Sequence, residues 1–481
     1  MKVTRRRYIS LETYQEAAVV PGIEPMNPLD PQLAVDPYPT YARLRGEDPV
    51  HLTAFGVHAL TRHADVTTVL RDTVTFRHCY VAQQTARVGA GVEDEPYFGY
   101  LRRMAFVLDD PDHRRVRRLL QGAFTPARVN AMRTQTVAIA NELVDAHAGA
   151  RAMDVVADFA FPLPMRVIGT ILGIPVADHA LIGTDATALN PVLEFLPMSP
   201  EVLTRANEAV QALAAHFGDL AEARRREPTD DLFSAMVHAA VDGERLTKDE
   251  LIANAILLYI AGHETTAGAT GLALLALHRN PDQFALLKAR PDLIPAAADE
   301  LLRYDSPGQG TARVLTADAT FSDTTLPAGS MVLAYLGAAN RDGDVYPQPD
   351  RLDIERDFTS QPKPATWGGG AHLCLGRALA LQEMEAMLEV FTQRCPDLTV
   401  DSFTFRPTPL MRGLEHLHIH WQAGRASRPC PPTSTSRWCE PRGRRRGRGR
   451  LRDSDRLWPR ARLGRSGGWR SRRAPAPACV S

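Results

Sequence analysis

The sequence contains little cysteine, and its cysteines are dispersed. Six occur among 481 residues, at Cys79, Cys374, Cys395, Cys430, Cys439 and Cys479. No two of them form a C-x-x-C pair, which argues against a cysteine-rich zinc site and against a disulfide framework. The pattern is typical of a protein from a reducing compartment, and we expect a cytoplasmic location.

Long apolar runs are also lacking. The N-terminal segment has a basic start, but polar residues between Ser10 and Glu16 interrupt the apolar stretch that a secretory signal needs. The most apolar window, residues 251–262, leads directly into His263 and Glu264, and a charged residue there is costly in a bilayer. The sequence therefore predicts neither a signal peptide nor a membrane span, and it favours a core helix at this window.

The formal net charge is zero, but the charges are unevenly distributed. From Arg425 to Ser481 there are 17 arginines and three acidic residues, so this segment carries +14 and the remainder carries −14. We expect an extension at residues 1–25, with disorder as one possibility, one large domain at 26–423 and a disordered basic tail at 424–481. The tail has two interpretations, an accidental translated extension of GC-rich sequence or a segment that binds nucleic acid or another acidic surface.

Helix signals dominate the large domain. A capping residue followed by proline opens three predicted helices, at Thr125-Pro126, Ser199-Pro200 and Asn280-Pro281. The first is expected to run toward Gly149 and the second to Arg226. Strand-like segments are few, at residues 51–61, 313–321 and 331–340. The pattern predicts a mainly α fold with small β-sheets at one side.

The longest predicted helix covers residues 247–279. Its start, Thr247-Lys248-Asp249-Glu250, fits a capping box, and nothing stops it before Asn280. Its apolar middle nevertheless contains the sequence AGHETT at 261–266. A glycine weakens a helix and a buried acid is costly, so the exception to the local rules indicates a functional site.

A second unusual segment surrounds Cys374. Three glycines precede this cysteine, Gly376 follows it, and an amphipathic helix comes next. The glycines allow close backbone approach, and a helix N-terminus favours a thiolate. A nucleophilic cysteine would need a base, but His372 is two positions away and is expected to point to a different side. A metal-bearing cofactor that needs a flat approach to the glycine-rich loop is the better interpretation.

These segments together resemble the cytochrome P450 superfamily of the soluble bacterial type. WGGGAHLCLG resembles the family's haem-binding loop F-G-x-G-x-H-x-C-x-G, with Trp367 in place of phenylalanine. Three further motifs follow the family's order: AGHETT resembles the central-helix signature, Glu300 and Arg303 its E-x-x-R, and DDPDHRRVRRLLQGAFTP its H-x-x-x-R helix. The resemblance extends from about Asn27 to Trp421. It implies a cytochrome P450-like fold with a long central helix, and a haem-thiolate monooxygenase domain at 26–423.

The resemblance also implies how the cofactor is held. Cys374 would be the thiolate ligand of the iron in haem b, iron protoporphyrin IX. The two haem propionates would be bound by cations, for which His113 and Arg117, one helical turn apart, and Arg313 and His372 match the family's positions.

Three residues of the central helix would serve catalysis. Glu264 and Thr265 would be the acid–alcohol pair that delivers two protons for dioxygen activation, and Gly262 would leave room for dioxygen beside the helix. The alternative for Thr265 is a hydroxyl that bonds back to a helix carbonyl. Glu300 and Arg303 are expected to be buried and to fix the segment around Asn340, which makes them scaffold residues.

The resemblance implies a function and its partners. We expect a separate ferredoxin and ferredoxin reductase to supply electrons from NAD(P)H, since no flavin or iron–sulfur segment follows the domain. Dioxygen and a lipophilic small molecule would be the substrates, with hydroxylation or epoxidation in secondary-metabolite biosynthesis as the reaction. Arg114, Arg115 and Arg118 form either a solvated face or a docking patch for an acidic redox partner. The alternatives are a peroxide-using or non-oxygenating haem-thiolate enzyme and, more remotely, a nucleic-acid-binding protein acting through its tail.

Overall fold

The structure is a computed structural model, and it describes residues 24–78, 91, 94–193, 199–408 and 410–422. The expectations for the N-terminal extension and the basic tail concern residues that lie outside this description, apart from residues 24 and 25. Among the described helices, none is long and apolar enough to cross a bilayer.

Helices account for most of the described chain. In chain order they are α1 Pro31–Val35, α2 Tyr38–Glu47, α3 His63–Arg71, α4 Pro96–Leu101, α5 Asp112–Ala123, α6 Pro126–Ala131, α7 Arg133–Asp145, α8 Pro162–Ile171, α9 His179–Leu193, α10 Pro200–Arg226, α11 Leu232–His238, α12 Lys248–Arg279, α13 Pro281–Ala289, α14 Ile294–Tyr304, α15 Leu336–Ala339 and α16 Arg377–Arg394.

The strands form three small sheets. The strands are β1 Val50–Leu52, β2 His58–Leu60, β3 Phe76–Arg77, β4 Ala152–Asp154, β5 Gly310–Leu315, β6 Ala319–Phe321, β7 Thr324–Leu326, β8 Met331–Tyr335, β9 Thr399–Phe405 and β10 Leu414–His420. One sheet has the order β1-β2-β8-β5-β3, a second has the order β4-β10-β9, and β6 pairs with β7. Only β2 and β8 pair in parallel among these strands. The predicted mainly α fold with small sheets is confirmed.

The long central helix α12 organises the core. The Thr247 side chain accepts from the Glu250 N–H while the Glu250 side chain accepts from the Thr247 N–H, so the predicted capping box is present. Nearly every residue from Leu251 to Leu277 is buried, and α12 packs against α8, α10 and α16. Most of its stability therefore comes from tertiary contacts along its whole length.

Two predicted elements differ from the structure. The helix expected from Pro126 toward Gly149 is divided in two, because the Met132 N–H bonds to the Val129 carbonyl three residues back and tightens the turn. The segment 331–340 begins as strand β8 but continues as the short helix α15. The hairpin of β9 and β10 was not among the predicted elements.

Helix α16 buries an acid that has no partner. The Glu383 side chain is 1% exposed, and neither of its carboxylate oxygens has a hydrogen-bond partner among the described residues. Burial raises the pKa of this carboxyl well above its ordinary value. Glu383 is therefore neutral in the folded protein under conditions in which the unfolded chain carries a charge at this position.

This difference predicts a pH-dependent effect of Glu383→Gln on stability. Because the folded pKa is raised, the contribution of Glu383 is fully present below the ordinary glutamate pKa of about 4.5 and is lost as the pH rises. As the pH rises above this value, the free energy of unfolding of the wild type should fall relative to that of the variant, because the unfolded chain loses a proton that the folded protein keeps. Urea unfolding at several pH values measures this slope. The control is Glu355→Gln at an exposed position, and parallel curves for Glu383→Gln would contradict an uncharged Glu383.

Candidate active site

The loop that carries Cys374 is folded tightly against helix α3. Gly368 and Gly370 have φ angles of 68° and 58°, in the left-handed region that favours glycine. A β-carbon on Gly370 would lie 2.6 Å from the Leu70 carbonyl oxygen, so no larger residue fits there. The Cys374 N–H donates to the Trp367 carbonyl at 2.9 Å and closes the loop. The position of the cysteine is thus determined by backbone contacts on both sides.

The surroundings of the Cys374 thiol suit a metal-bound thiolate. Cys374 as a whole is exposed at the surface of its loop. The atoms packed around its thiol nevertheless desolvate the sulfur, and this raises the pKa of the thiol. The N–H groups of Gly376 and Arg377 and the guanidinium group of Arg117 act in the opposite direction without overcoming burial. The expected helix N-terminus is present, at Arg377, but it does not by itself produce a thiolate. Cys374 would be deprotonated on coordinating a metal ion, which would supply the remaining positive charge.

A cluster of basic side chains lies beside this loop. The rings of His113 and His372 are stacked with centroids 3.8 Å apart, and the His78 ring lies 4.3 Å from His372. Arg313 is buried on β5, where it donates to the Thr311 hydroxyl at 2.7 Å and to the Ala312 carbonyl at 2.7 Å. The structure therefore brings His113, His372 and Arg313 together. Their role in binding the propionates stays a prediction. His78 was not predicted, because its sequence context contains no motif.

Two buried nitrogens at this basic cluster have no acceptor among the described residues. Burial and the positive charges of His113, Arg313 and Arg117 lower the pKa of His372 to about 3, and burial lowers the pKa of His78 well below its ordinary value. Asp110 approaches His113 only to 3.8 Å. Among the described residues, His78 Nε2 and Arg117 Nε have no hydrogen-bond partner although both atoms are buried. An anionic ligand would supply acceptors for these two nitrogens.

Arg117 also supports the cysteine loop directly. Its NH2 group donates to the carbonyl oxygen of Leu373, the residue before the cysteine. Burial lowers the pKa of this guanidinium group, and Cys374 acts in the opposite direction. The predicted role of Arg117 as a carboxylate partner thus stays a prediction, and the structure adds a contact that holds the loop.

A buried ion-pair network fixes the other side of the loop. Glu300 and Arg303 are fully buried and form two hydrogen bonds of 2.7 and 2.9 Å, as expected for a scaffold pair. Arg356, which was not predicted, donates to the same carboxylate at 3.0 Å. Arg303 NH1 reaches the carbonyl oxygen of Asn340 at 2.8 Å. The network therefore connects helix α14 to the segment after α15.

Asn340 passes this support to the loop. Its side-chain oxygen accepts from the Ala365 N–H at 2.7 Å, and its amide donates to the Thr366 hydroxyl at 2.8 Å. Thr366 donates to the Leu302 carbonyl at 2.9 Å. The turn Ala365–Trp367 is thereby held from two directions, and the carbonyl of its last residue bonds to Cys374.

One stripe of the central helix is open although the rest is buried. Ala261 is exposed, and Leu257, Leu258 and Thr265 are only half-buried. These positions recur at helical spacing, so they form one face. The Thr265 hydroxyl donates to the Ala261 carbonyl at 3.1 Å, which is the alternative considered from the sequence. Its oxygen lone pairs stay available as acceptors on the open face.

Gly262 has a packing role. A β-carbon at this position would lie 2.9 Å from Cγ1 of Ile168, so the glycine lets helix α8 approach α12 closely. This contact explains the glycine without any ligand. The role of Gly262 in leaving room for dioxygen stays a prediction.

Glu264 is buried next to this open face and has two partners that the sequence did not predict. Asn190 Nδ2 donates to Glu264 Oε2 at 2.7 Å, and Arg406 NH1 forms an ion pair with Oε1. Asn190 lies on α9 and Arg406 follows β9, so both partners are remote in sequence. Neither position is preceded by a local signal that would identify it.

The three remaining arginines of helix α5 are neutralised within the chain. Arg114 pairs with Asp110, Arg115 with Glu250, and Arg118 with Asp242 and Glu244. These ion pairs within the chain favour the interpretation of this surface as a solvated face. They leave little unpaired positive charge for the docking of an acidic redox partner.

The geometry as a whole fits haem. The Cys374 thiol lies beside a buried cluster of histidine and arginine side chains, near which two nitrogens have no acceptor among the described residues, and the central helix has an open stripe. This combination fits the class of haem-thiolate proteins.

Comparisons with known proteins agree with this class. The cytochrome P450 family model matches residues 64–289 and 288–402. The chain is 37% identical over 397 residues to the vitamin D(3) 25-hydroxylase of Pseudonocardia autotrophica, covering 80% of this chain and 93% of that protein. It is 34% identical over 428 residues to the cytochrome P450 monooxygenase PikC of Streptomyces venezuelae, covering 86% and 98%. A crystal structure of P450BioI in complex with hexadec-9Z-enoic acid ligated acyl carrier protein is similar with a TM-score of 0.75 and 32% identity, covering 81% and 99%.

The chain therefore belongs to the cytochrome P450 family. It is a haem-dependent monooxygenase, as the sequence resemblance implied, and its relatives are bacterial. Bacterial members of the family generally receive electrons from a ferredoxin and its reductase.

The ion-pair network predicts a specific effect of Arg303→Lys. Lysine keeps the charge but loses the paired hydrogen bonds to Glu300 and the contact with the Asn340 carbonyl. We expect a loss of about 3 kcal/mol in stability and a lower fraction of protein with thiolate-bound haem, because the cysteine loop loses its support. Arg290→Lys, at an exposed pair with Asp292, is the matched control and should change neither quantity measurably. Wild-type haem content and stability in Arg303→Lys would contradict the support role.

Cys374→Ser tests the ligand directly. A serine hydroxyl fits the loop but does not supply a thiolate, so the reduced protein treated with carbon monoxide should lack the absorption band of thiolate-bound haem. Cys395→Ser, at the other described cysteine, should keep that band. Retention of the band in Cys374→Ser would disprove the assignment.

Proposed function

We propose that this enzyme hydroxylates or epoxidises a lipophilic small molecule in secondary-metabolite biosynthesis. The cofactor is haem b, and electrons come from NAD(P)H through a separate ferredoxin reductase and ferredoxin. The observation that carries the proposal is the open stripe of α12, in which the Thr265 hydroxyl lies next in sequence to the buried acid Glu264.

The cysteine loop and the basic cluster would hold the cofactor. Cys374 is the iron ligand, and His113, Arg117, Arg313 and His372 bind the propionates. When bound, haem supplies the reduction of dioxygen and the transfer of an oxygen atom to the substrate. The N–H groups of Gly376 and Arg377 point to the sulfur and stabilise its negative charge.

Proton supply falls to the central helix. Glu264 is enclosed between Asn190 and Arg406, so its carboxylate is held as an acceptor in the resting protein. To deliver a proton, Glu264 would leave its ion pair with Arg406 and become protonated. It would then pass the proton toward the Thr265 hydroxyl. Thr265 would accept a hydrogen bond from a water on its free lone pair while it donates to the Ala261 carbonyl, and that water would carry the proton onward.

Apolar side chains around the open stripe support a lipophilic substrate. Leu257 and Leu258 form part of the stripe. Elsewhere, Gly308 and Met411 form an isolated antiparallel β-bridge. Leu410, next to Met411, is 7% exposed and packs in the core. Residues 79–90 and 194–198 lie outside the described residues. Two similar proteins, the vitamin D(3) 25-hydroxylase and P450BioI in complex with a hexadec-9Z-enoic acid ligated acyl carrier protein, support the same substrate class.

The cytoplasmic location and the domain limits at 26 and 423 stay predictions. The dispersed cysteines support the location, and the matches to relatives of nearly full length support the domain.

Thr265→Ala tests the proposed proton path. The enzyme is supplied with NADPH, ferredoxin reductase, ferredoxin and either vitamin D3 or a long-chain fatty acid, and products are measured with isotopically labelled dioxygen. The wild type should incorporate one labelled oxygen atom. The variant should consume NADPH but release hydrogen peroxide, and its product per NADPH should fall by roughly tenfold or more because the hydroxyl that would hold the proton-carrying water is lost.

Thr266→Ala is the matched control, since it removes the same atoms from the next, buried residue of the helix. It should keep the wild-type yield of product per NADPH. Equal yields in Thr265→Ala and Thr266→Ala would contradict the role of Thr265. Product formation with peroxide in the absence of ferredoxin would favour the peroxide-using alternative.

A further inference from the structure

The last described strand carries three histidines on its exposed face. His416, His418 and His420 alternate along β10 with Leu417 and Ile419, which are buried. The chain has 15 histidines in all, and three of them occupy five positions here. This concentration lies on the three-stranded sheet, and none of the roles assigned above uses it.

Strand β4 brings an acid to two of these histidines. Asp154 is directly opposite His418 in the antiparallel pairing of β4 and β10. The Nδ1 atom of His416 lies 2.8 Å from Asp154 Oδ2. One ligand atom from each of Asp154, His416 and His418 lies within 4.8 Å of the other two. In the described part of the chain, no other group of three histidine, cysteine or acidic side chains meets this condition.

The acid is fixed in place while the imidazoles can adjust. The Asp154 side chain is 12% exposed, and its Oδ1 accepts the N–H groups of Val156 and Leu417 at 3.0 Å each. The rings of His416 and His418 are nearly parallel, with an interplanar angle of 8° and centroids 5.7 Å apart. Both side chains are exposed, so small rotations bring their nitrogens within the distance of about 2.1 Å from a common ion that zinc requires.

We propose that Asp154, His416 and His418 bind a divalent transition-metal ion, with zinc as the ion in the cell. Two imidazoles and one carboxylate suit zinc and nickel, whereas magnesium prefers oxygen ligands alone. Three protein ligands leave at least one position of the ion to water. The site is separate from the cysteine loop, and it does not depend on the proposed function.

The neighbouring pair of His420 and Asp401 shows what a simple surface contact looks like. These two side chains are hydrogen-bonded at 2.7 Å, and both are about half exposed. Neither belongs to the group of three that could share an ion. His420 therefore provides a control on the same strand and the same face.

A bound ion would link distant parts of the chain. Asp154 and His416 are 262 positions apart in sequence. The ion would tie the segment between helices α7 and α8 to the C-terminal hairpin. Because it binds the folded chain and not the unfolded one, it stabilises the fold by mass action.

Calorimetric titration of the full-length, haem-loaded and chelator-treated protein tests the proposal. Zn²⁺ and Ni²⁺ should each bind at this site, Mg²⁺ should not, and Zn²⁺ should raise the thermal unfolding midpoint. His418→Gln should weaken Zn²⁺ binding by about tenfold or more and abolish the rise in midpoint. His420→Gln should keep the affinity within about twofold of the wild type, since this residue is not a ligand.

Cysteines elsewhere in the chain also attract zinc, so the comparison of variants decides the outcome. Both substitutions lie on an exposed face, and circular dichroism confirms that each variant is folded. The proposal is overturned if Zn²⁺ does not bind, if His418→Gln binds as tightly as the wild type, or if His420→Gln loses as much affinity as His418→Gln. Because no catalytic assay is involved, failure here is distinguishable from failure of the proposed oxygenation.

Discussion

The buried contact between Glu300 and Arg303 is the constraint on which the cysteine loop depends. Two fully buried charges are costly unless their hydrogen-bonding capacity is met, and here Arg356 and backbone carbonyls meet it. The network extends through Asn340 to the turn before the cysteine. An ion pair of this kind contributes geometric specificity more than net stability. It places one sulfur atom at a defined position on a loop whose glycines would otherwise allow several conformations.

The haem site is also defined by an electrostatic imbalance. Histidines and arginines are crowded at one edge of the loop, and burial together with mutual repulsion lowers the pKa values of His78, His113 and His372. Histidines with lowered pKa values are neutral donors, and an anionic ligand would raise these pKa values when it binds. The histidines and arginines would then fix the orientation of that ligand by hydrogen bonds.

Local signals in the sequence predicted the parts of this structure that depend on neighbouring residues. The ends of α12 follow from the capping box at Thr247 and from Asn280-Pro281, and Cys374 stands out through its glycines. The fold and the family followed from motifs of this kind. Partners from distant segments could not be predicted, because Arg356, Asn190 and Arg406 have no distinguishing local pattern. The break at Met132 was missed for a related reason, since neither glycine nor proline marks it.

The ion pair between Glu264 and Arg406 makes the catalytic helix dependent on the C-terminal hairpin. Arg406 directly follows β9, well after the last residue of the cysteine loop. A chain truncated before this position would keep every motif by which the enzyme is recognised, including the thiolate ligand and the acid–alcohol pair. It would nevertheless leave a carboxylate in the protein interior without its countercharge. Sequence fragments that end early can therefore be assigned correctly to the family and still lack the ion pair that holds Glu264.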